Sequence, residues 1–195
     1  MKLPGLLLLS APLCIAGYGV IRLAGRVDGE YGPGPDWQAA HLFGLLGMVL
    51  FVPVVLNLGR ELPPSRWRDA TLVLTLAGLA AGIVQFLADI SFSALAANKA
   101  DMSRLSDQFS ELPGVRPLVY TVVPPLFFLG LVVLTVMLAA RRQLPKWSPP
   151  LVLVGVLLGA VDLNFLPLTG AAILVALLPL AEPNVLGRVR LRAGR

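Results

Sequence analysis

Six apolar stretches, at residues 3–23, 37–58, 70–91, 117–140, 149–164 and 166–183, alternate with short polar connections. Runs of about 18 or more apolar residues leave no polar face for water and read as membrane spans. The first four are long enough, at about 1.5 Å per residue, to cross a hydrocarbon core of about 30 Å. The last two are shorter and meet at the tight segment Asp162-Leu163-Asn164-Phe165-Leu166-Pro167. They form either two thin spans or a re-entrant hairpin, whose non-helical backbone would have to be buried in protein. The expected fold is all-α: a polytopic membrane helix bundle of about six transmembrane helices, one integral membrane domain over 1–195.

The connections differ in kind. Residues 24–36 carry Gly25, Gly29, Gly32, Pro33, Gly34 and Pro35 and read as an irregular loop. Residues 101–112 predict an amphipathic helix: Met102, Leu105, Phe109 and Leu112 make an apolar stripe, Asp101 is placed to cap it, and Pro113-Gly114 ends it. Such a helix rests on the tops of the spans, lies on the leaflet or lids a cavity. Pro53 in the second span, and Pro124-Pro125 in the fourth, should kink or break their helices.

Composition agrees with the pattern. Of 195 residues, 56% are hydrophobic and 14% charged, against about 25% charged in a typical soluble domain. A net charge of +5 could suggest nucleic acid. The basic residues instead cluster just outside apolar runs, and the interleaved aromatics that single-strand binding needs are missing, so no nucleic acid is implied. Lys2, Arg60, Arg66, Arg68, Arg141, Arg142, Lys146, Arg188, Arg190, Arg192 and Arg195 fall on one side. Arg22, Arg26, Lys99, Arg104 and Arg116 fall on the other. The richer side is cytoplasmic by the positive-inside rule, which places both the N-terminus and the C-terminus there. The expected location is the bacterial cytoplasmic membrane, as a multi-pass protein whose first span is an uncleaved signal-like segment. Cys14, the single cysteine, supports neither a disulfide within the chain nor a CxxC site.

A faint internal repeat runs through the middle. Arg60-Glu61-Leu62-Pro63-Pro64-Ser65-Arg66-Trp67 resembles Arg142-Gln143-Leu144-Pro145-Lys146-Trp147. Downstream, Gly78-x-x-x-Gly82-x-x-Gln85 parallels Gly155-x-x-x-Gly159-x-x-Asp162. A duplication of this orientation would be a parallel repeat. Independent invention is the alternative, since glycine is common in membrane helices. Glycines four apart let helices approach closely, so Gly78, Gly82, Gly155 and Gly159 are expected to pack spans three and five at the bundle centre or against a second copy.

Polar groups within apolar spans are costly and mark candidate sites. Here they are His41, Gln85, Asp89, Asp162 and Asn164, all toward the outer ends of their spans, with Gln85 and Asp89 on one face at i and i+4. One reading is an outward-facing polar pocket, with Tyr120 and Thr121 close by, in which His41 pairs with Asp89 or Asp162. The other is that groups within a turn of the interface simply reach headgroups and water. Arg22 either neutralises a carboxylate or snorkels. Trp37, Trp67 and Trp147 stand at span boundaries as interfacial anchors.

Several chemistries have no footing. P-loop, GxGxxG, HExxH and GxSxG motifs are missing, and one histidine rules out bis-histidine haem within the chain. No cofactor and no metal site is implied. Trp37-Gln38-Ala39-Ala40-His41-Leu42-Phe43-Gly44-Leu45-Leu46-Gly47, with the following Val52-to-Leu58 segment, Pro125-to-Gly130 and the basic tail, resembles small six-span membrane proteins of high-GC Gram-positive bacteria. That resemblance implies six spans and carries no activity. The leading expectation is a small transporter-like unit or an accessory or assembly subunit, partnered by the lipid bilayer and by a second copy or another membrane protein. The alternative is a membrane enzyme acting on lipid or isoprenoid headgroups at the outer leaflet, with Asp89 or Asp162 as acid or base and His41 assisting.

Overall fold

A computed structural model describes residues 5–27 and 32–181. Lys2, Gly29 and the basic tail from Arg188 to Arg195, used above for orientation and loop character, lie outside the described residues, as do the outermost ends of the first and last runs.

The described residues are helical, without strands. Helix α1 (Gly5–Ala24) is followed by α2 (Pro35–Arg60), α3 (Arg66–Leu95) and a short α4 (Lys99–Ser110). A π-helical turn (Arg116–Thr121) then leads to α5 (Pro125–Ala140), α6 (Ser148–Val161), one 3-10 turn (Leu163–Phe165) and α7 (Leu166–Ala181). Five segments are long and apolar enough to cross a membrane: α1, α2, α3, Arg116–Ala140 and Leu163–Ala181. Helix α6, with 14 residues, falls short of that length.

The long helices close a ring in chain order. Helix α1 packs on α2, α2 on α3, α3 on α5, α5 on α6, α6 on α7, and α7 returns to α1. The α7–α1 seam runs antiparallel along its whole length: Gly19 lies against Pro167, Gly170 against Ala16 and Pro12, and Gly5 against Ala181. Gly5 and Ala181 therefore share a face. Across the middle, Phe51 of α2 meets Phe127 of α5 edge to face, with ring centroids 4.9 Å apart. Around that contact lie Ile15, Val54, Leu58, Leu79, Leu131, Leu134 and Ile173, all essentially inaccessible.

Outside the ring the surface is equally apolar. Leu46 (49% exposed), Val136 (49%) and Leu157 (54%) each face outward from their helices. Helices apolar on every side suit lipid, which is as apolar as leucine, rather than water. The short α6 shares this property, with Val154 and Leu157 exposed.

The glycine pairs work at seams between ring neighbours. Gly78 faces the Leu126–Phe127 backbone of α5, so tightly that a Cβ would overlap the Phe127 nitrogen, whereas Gly82 faces Met48 of α2 with ordinary room. Gly155 and Gly159 face Ala172 and Thr169 of α7, where the Thr169 hydroxyl donates to the Gly155 carbonyl at 2.7 Å. Gly78 and Gly155 thus play the same part, each seating the span that follows. Gly159 also faces α7, against Thr169, whereas Gly82 faces back to α2. The two repeat-like turns also touch, with Gln143 Nε2 donating to the Glu61 carbonyl at 2.8 Å.

Proline has two outcomes here. Helix α2 runs on through Pro53. At Pro124-Pro125 the fourth run breaks, and its first part becomes the π-helical turn. Helix α4 begins earlier than the stripe alone suggested. Asn98, not Asp101, is its cap: Asn98 Oδ1 accepts from Asp101 N at 3.0 Å, while Asp101 Oδ2 accepts from Ala97 N at 3.2 Å. A carboxylate at the third position stabilises the helix start without being the cap. Gly114, at φ 82°, turns the chain back where the helix has ended.

Candidate functional site

All the polar residues singled out above lie at one end of the ring, the end bearing α4, and they divide into two groups. The first group surrounds His41. This residue is only 3% exposed, because the ring of Trp37, one helical turn earlier, stacks on its imidazole at 4.1 Å. Tyr18 of α1 and Phe86 of α3 approach the same imidazole edge-on, at 5.5 and 5.8 Å, and also each other at 5.3 Å. Gly44 makes the space: a Cβ there would overlap the Phe86 ring. His41 Nδ1 lies 2.8 Å from the Trp37 carbonyl. A carbonyl only accepts, so Nδ1 carries the proton in this bond, and the neutral ring keeps Nε2 as its open nitrogen.

Asp89 lies next to this cluster on α3. Two residues before and after it, Leu87 and Ser91 face outward, and at about 100° per residue Asp89 is turned some 200° from both, toward the bundle. The carboxyl is half-buried and, among the described residues, has no hydrogen bond or ion pair; the same holds for Gln85 one turn below. Tyr18 on one side and Tyr120 of the π-helical turn on the other both lie within reach of its charge. Tyr120 sits beside Ser106 of α4 and edge-on to Phe109 at 6.2 Å. Phe109 in turn meets Phe92 of α3 at 5.6 Å. One residue of the apolar stripe predicted for α4, Phe109, is thereby accounted for: the helix rests on the C-terminal end of α3 and roofs the region of Asp89. Gln38 Nε2 donates to the Ile90 carbonyl at 3.2 Å and pins α2 to the same stretch of α3.

The second group is at the α6–α7 corner. Asp162 terminates α6 and accepts from the Asn164 backbone N–H at 2.8 Å and its Nδ2 at 3.3 Å, the usual chemistry of an Asx turn. Asn164 Oδ1 in turn accepts from Arg26 Nη1 at 2.9 Å and Arg22 Nη1 at 3.4 Å. The corner is thereby tied to the C-terminal end of α1.

The five residues do not meet in one pocket through polar contacts. Asp162 and Asn164 bond to each other, His41 is enclosed by rings, and Gln85 and Asp89 share a face of α3. Among the described residues no three His, Cys, Asp or Glu side chains converge as metal ligands do. Sequence reasoning missed Tyr18 and Phe86, the walls of the His41 cluster, and the joining of Arg26 to Asn164. Tyr18 sits one turn before Arg22 and on the same face of α1, which is the one signal that could have brought it in.

No family model matches this chain, and no curated protein or solved structure matches it either.

Proposed function

We propose that this chain is a small, non-enzymatic, transporter-like protein of the bacterial cytoplasmic membrane that binds a ligand at its outer face, with Asp89 at the centre of the site. On this reading it has six spans and keeps both ends in the cytoplasm. The observation that carries it is a half-buried carboxyl inside a span, turned toward the bundle, with no hydrogen-bond or ion-pair partner among the described residues. An ionisable group in an apolar span is expensive, and its persistence without a protein partner points to an outside one. The basic turns at Arg60–Arg68 and Arg141–Lys146 lie at the opposite end, which supports placing Asp89 outside. An enzyme acting on headgroups fits less well. His41 commits Nδ1 to the Trp37 carbonyl and is walled by three rings, and no hydrogen bond joins it to a carboxylate.

The test is accessibility. In proteoliposomes, with Cys14→Ser as background, Asp89→Cys should react with a membrane-impermeant thiol reagent from the outer side, and Leu87→Cys, facing lipid, should not. An unreactive Asp89→Cys alongside a reactive Ser106→Cys control overturns the reading.

A further inference from the structure

Asp89 does not stand alone on its helix face. Gln85, Phe92 and Ser93 lie one turn to either side of it at i−4, i+3 and i+4, and therefore share that face. Ser93 is 7% exposed, and its hydroxyl has no hydrogen-bond partner among the described residues. An acceptor buried in this way, one turn from an unpartnered carboxylate, is a second group left open on the same strip.

The surroundings of that strip are aromatic from four directions. Helix α1 supplies Tyr18, α3 itself Phe86 and Phe92, α4 Phe109, and the π-helical turn Tyr120. Tyr18 meets Phe86, three residues before Asp89 on its helix, and Tyr120 meets Phe109, which in turn meets Phe92, three residues after it. A π-helical turn is a rare element that is frequently found at functional sites. Here it forms because Pro124 and Pro125 interrupt the regular ladder, and it carries Tyr120. Arg22 Nη1 donates to Asn164 Oδ1 at 3.4 Å, and its charge also reaches Tyr18.

One carboxylate with aromatic faces about it selects its counter-ion. Calcium and magnesium take six or more oxygen ligands, and among the described residues no three His, Cys, Asp or Glu side chains converge to supply them. A large organic cation asks for the opposite: one negative charge, little competing hydrogen bonding, and ring faces whose quadrupole attracts a diffuse positive charge. We infer that the face of α3 bearing Gln85, Asp89 and Ser93, framed by Tyr18 and Tyr120 under α4, binds a bulky organic cation of the quaternary ammonium or phosphonium class. The inference rests on the outward-site reading above and names its ligand. Asp89 supplies the charge, Tyr18 and Tyr120 the ring faces, and α4 lies over the site.

The experiment is protection of a neighbouring thiol. Gln85→Cys in the Cys14→Ser background, reconstituted in proteoliposomes, is exposed to an anionic, membrane-impermeant methanethiosulfonate from outside, with and without tetraphenylphosphonium. Three results matter. Labelling that tetraphenylphosphonium slows saturably, with at least a tenfold higher concentration needed once Asp89→Asn is added, supports the inference. Tyr120→Phe should then leave protection intact and Tyr120→Leu weaken it severalfold, because the ring and not the hydroxyl makes the contact. Labelling without protection, or protection unaltered by Asp89→Asn, overturns the organic-cation assignment and leaves the outward site standing. No labelling from outside, with a reactive Ser106→Cys control, overturns both.

Discussion

His41 owes its place to three rings contributed by three helices, and its polar chemistry is spent on a carbonyl of its own helix. Ring pairs of this kind contribute about 0.5–1.5 kcal/mol each beyond simple burial. His41→Ala should therefore lower stability by about 1–3 kcal/mol, in the range typical of disrupted cores, and read out as a lower melting temperature in detergent. His41→Phe, which keeps the ring, should retain most of that stability. Equal losses in the two variants would show that the Nδ1 hydrogen bond, and not ring packing, holds the cluster. From the residues alone His41 was visible as a costly polar group in an apolar run. Its role was not, because Tyr18 and Phe86 are 23 residues before and 45 after it in the chain, and only the folded ring brings them to one point. Asp162 has the reverse history: it looked like a pocket carboxylate and proves to form the Asx turn at the α6–α7 corner.

Helix packing carries a sharper contrast. Gly78 and Gly82 form one small-xxx-small motif, yet a Cβ at Gly78 would overlap the α5 backbone, whereas at Gly82 the nearest atom would be Met48 Sδ at 3.5 Å. Gly78→Ala should cost about 1–3 kcal/mol through overpacking. Gly82→Ala should be neutral or slightly stabilising, since alanine favours helix over glycine by up to about 1 kcal/mol. Thermal melts of the two single variants side by side decide it; equal destabilisation would contradict the seam described here. At α4, Asp101 is held below the ordinary aspartate value, first by its hydrogen bond from Arg104 and next by that from Ala97. Because the folded value is the lower one, the anchorage is present above the ordinary aspartate range and is lost as pH falls through the folded value. A spin label at Ser106→Cys should keep constant mobility from neutrality down to about pH 4 and loosen only below it. A transition near neutrality would contradict this. The apolar stripe and the Pro113-Gly114 stop made α4 legible. Asn98 was passed over as cap because Asp101 has the same type of side chain three residues on, and the π-helical turn has no signature beyond its two prolines.

For the molecule as a whole, the apolar runs made the helices legible with small shifts in their ends, since burying backbone polar groups in lipid leaves helices as the simplest solution. Ring closure was not legible. It depends on Gly19 and Gly170 fitting α7 against α1, contacts between the two ends of the chain that no local pattern encodes. The least regular member is α6, whose 14 residues span only about 21 Å, against a core of about 30 Å. Yet α6 shows lipid-compatible side chains outward and packs between two full-length neighbours. The connection before it bonds to the α2–α3 turn, while the corner after it bonds to the opposite end of α1. Our account therefore has α6 as a crossing, with the bilayer thinned beside it, and the Asp89 site on the side away from both basic turns. The most direct measurement is a pair of reporters, one active only inside the membrane and one only outside, fused in turn after Lys146 and after Asn164. The account predicts an inside signal at Lys146 and an outside signal at Asn164. The same signal at both positions would make residues 148–165 re-entrant and contradict the six-span arrangement on which the outward site depends.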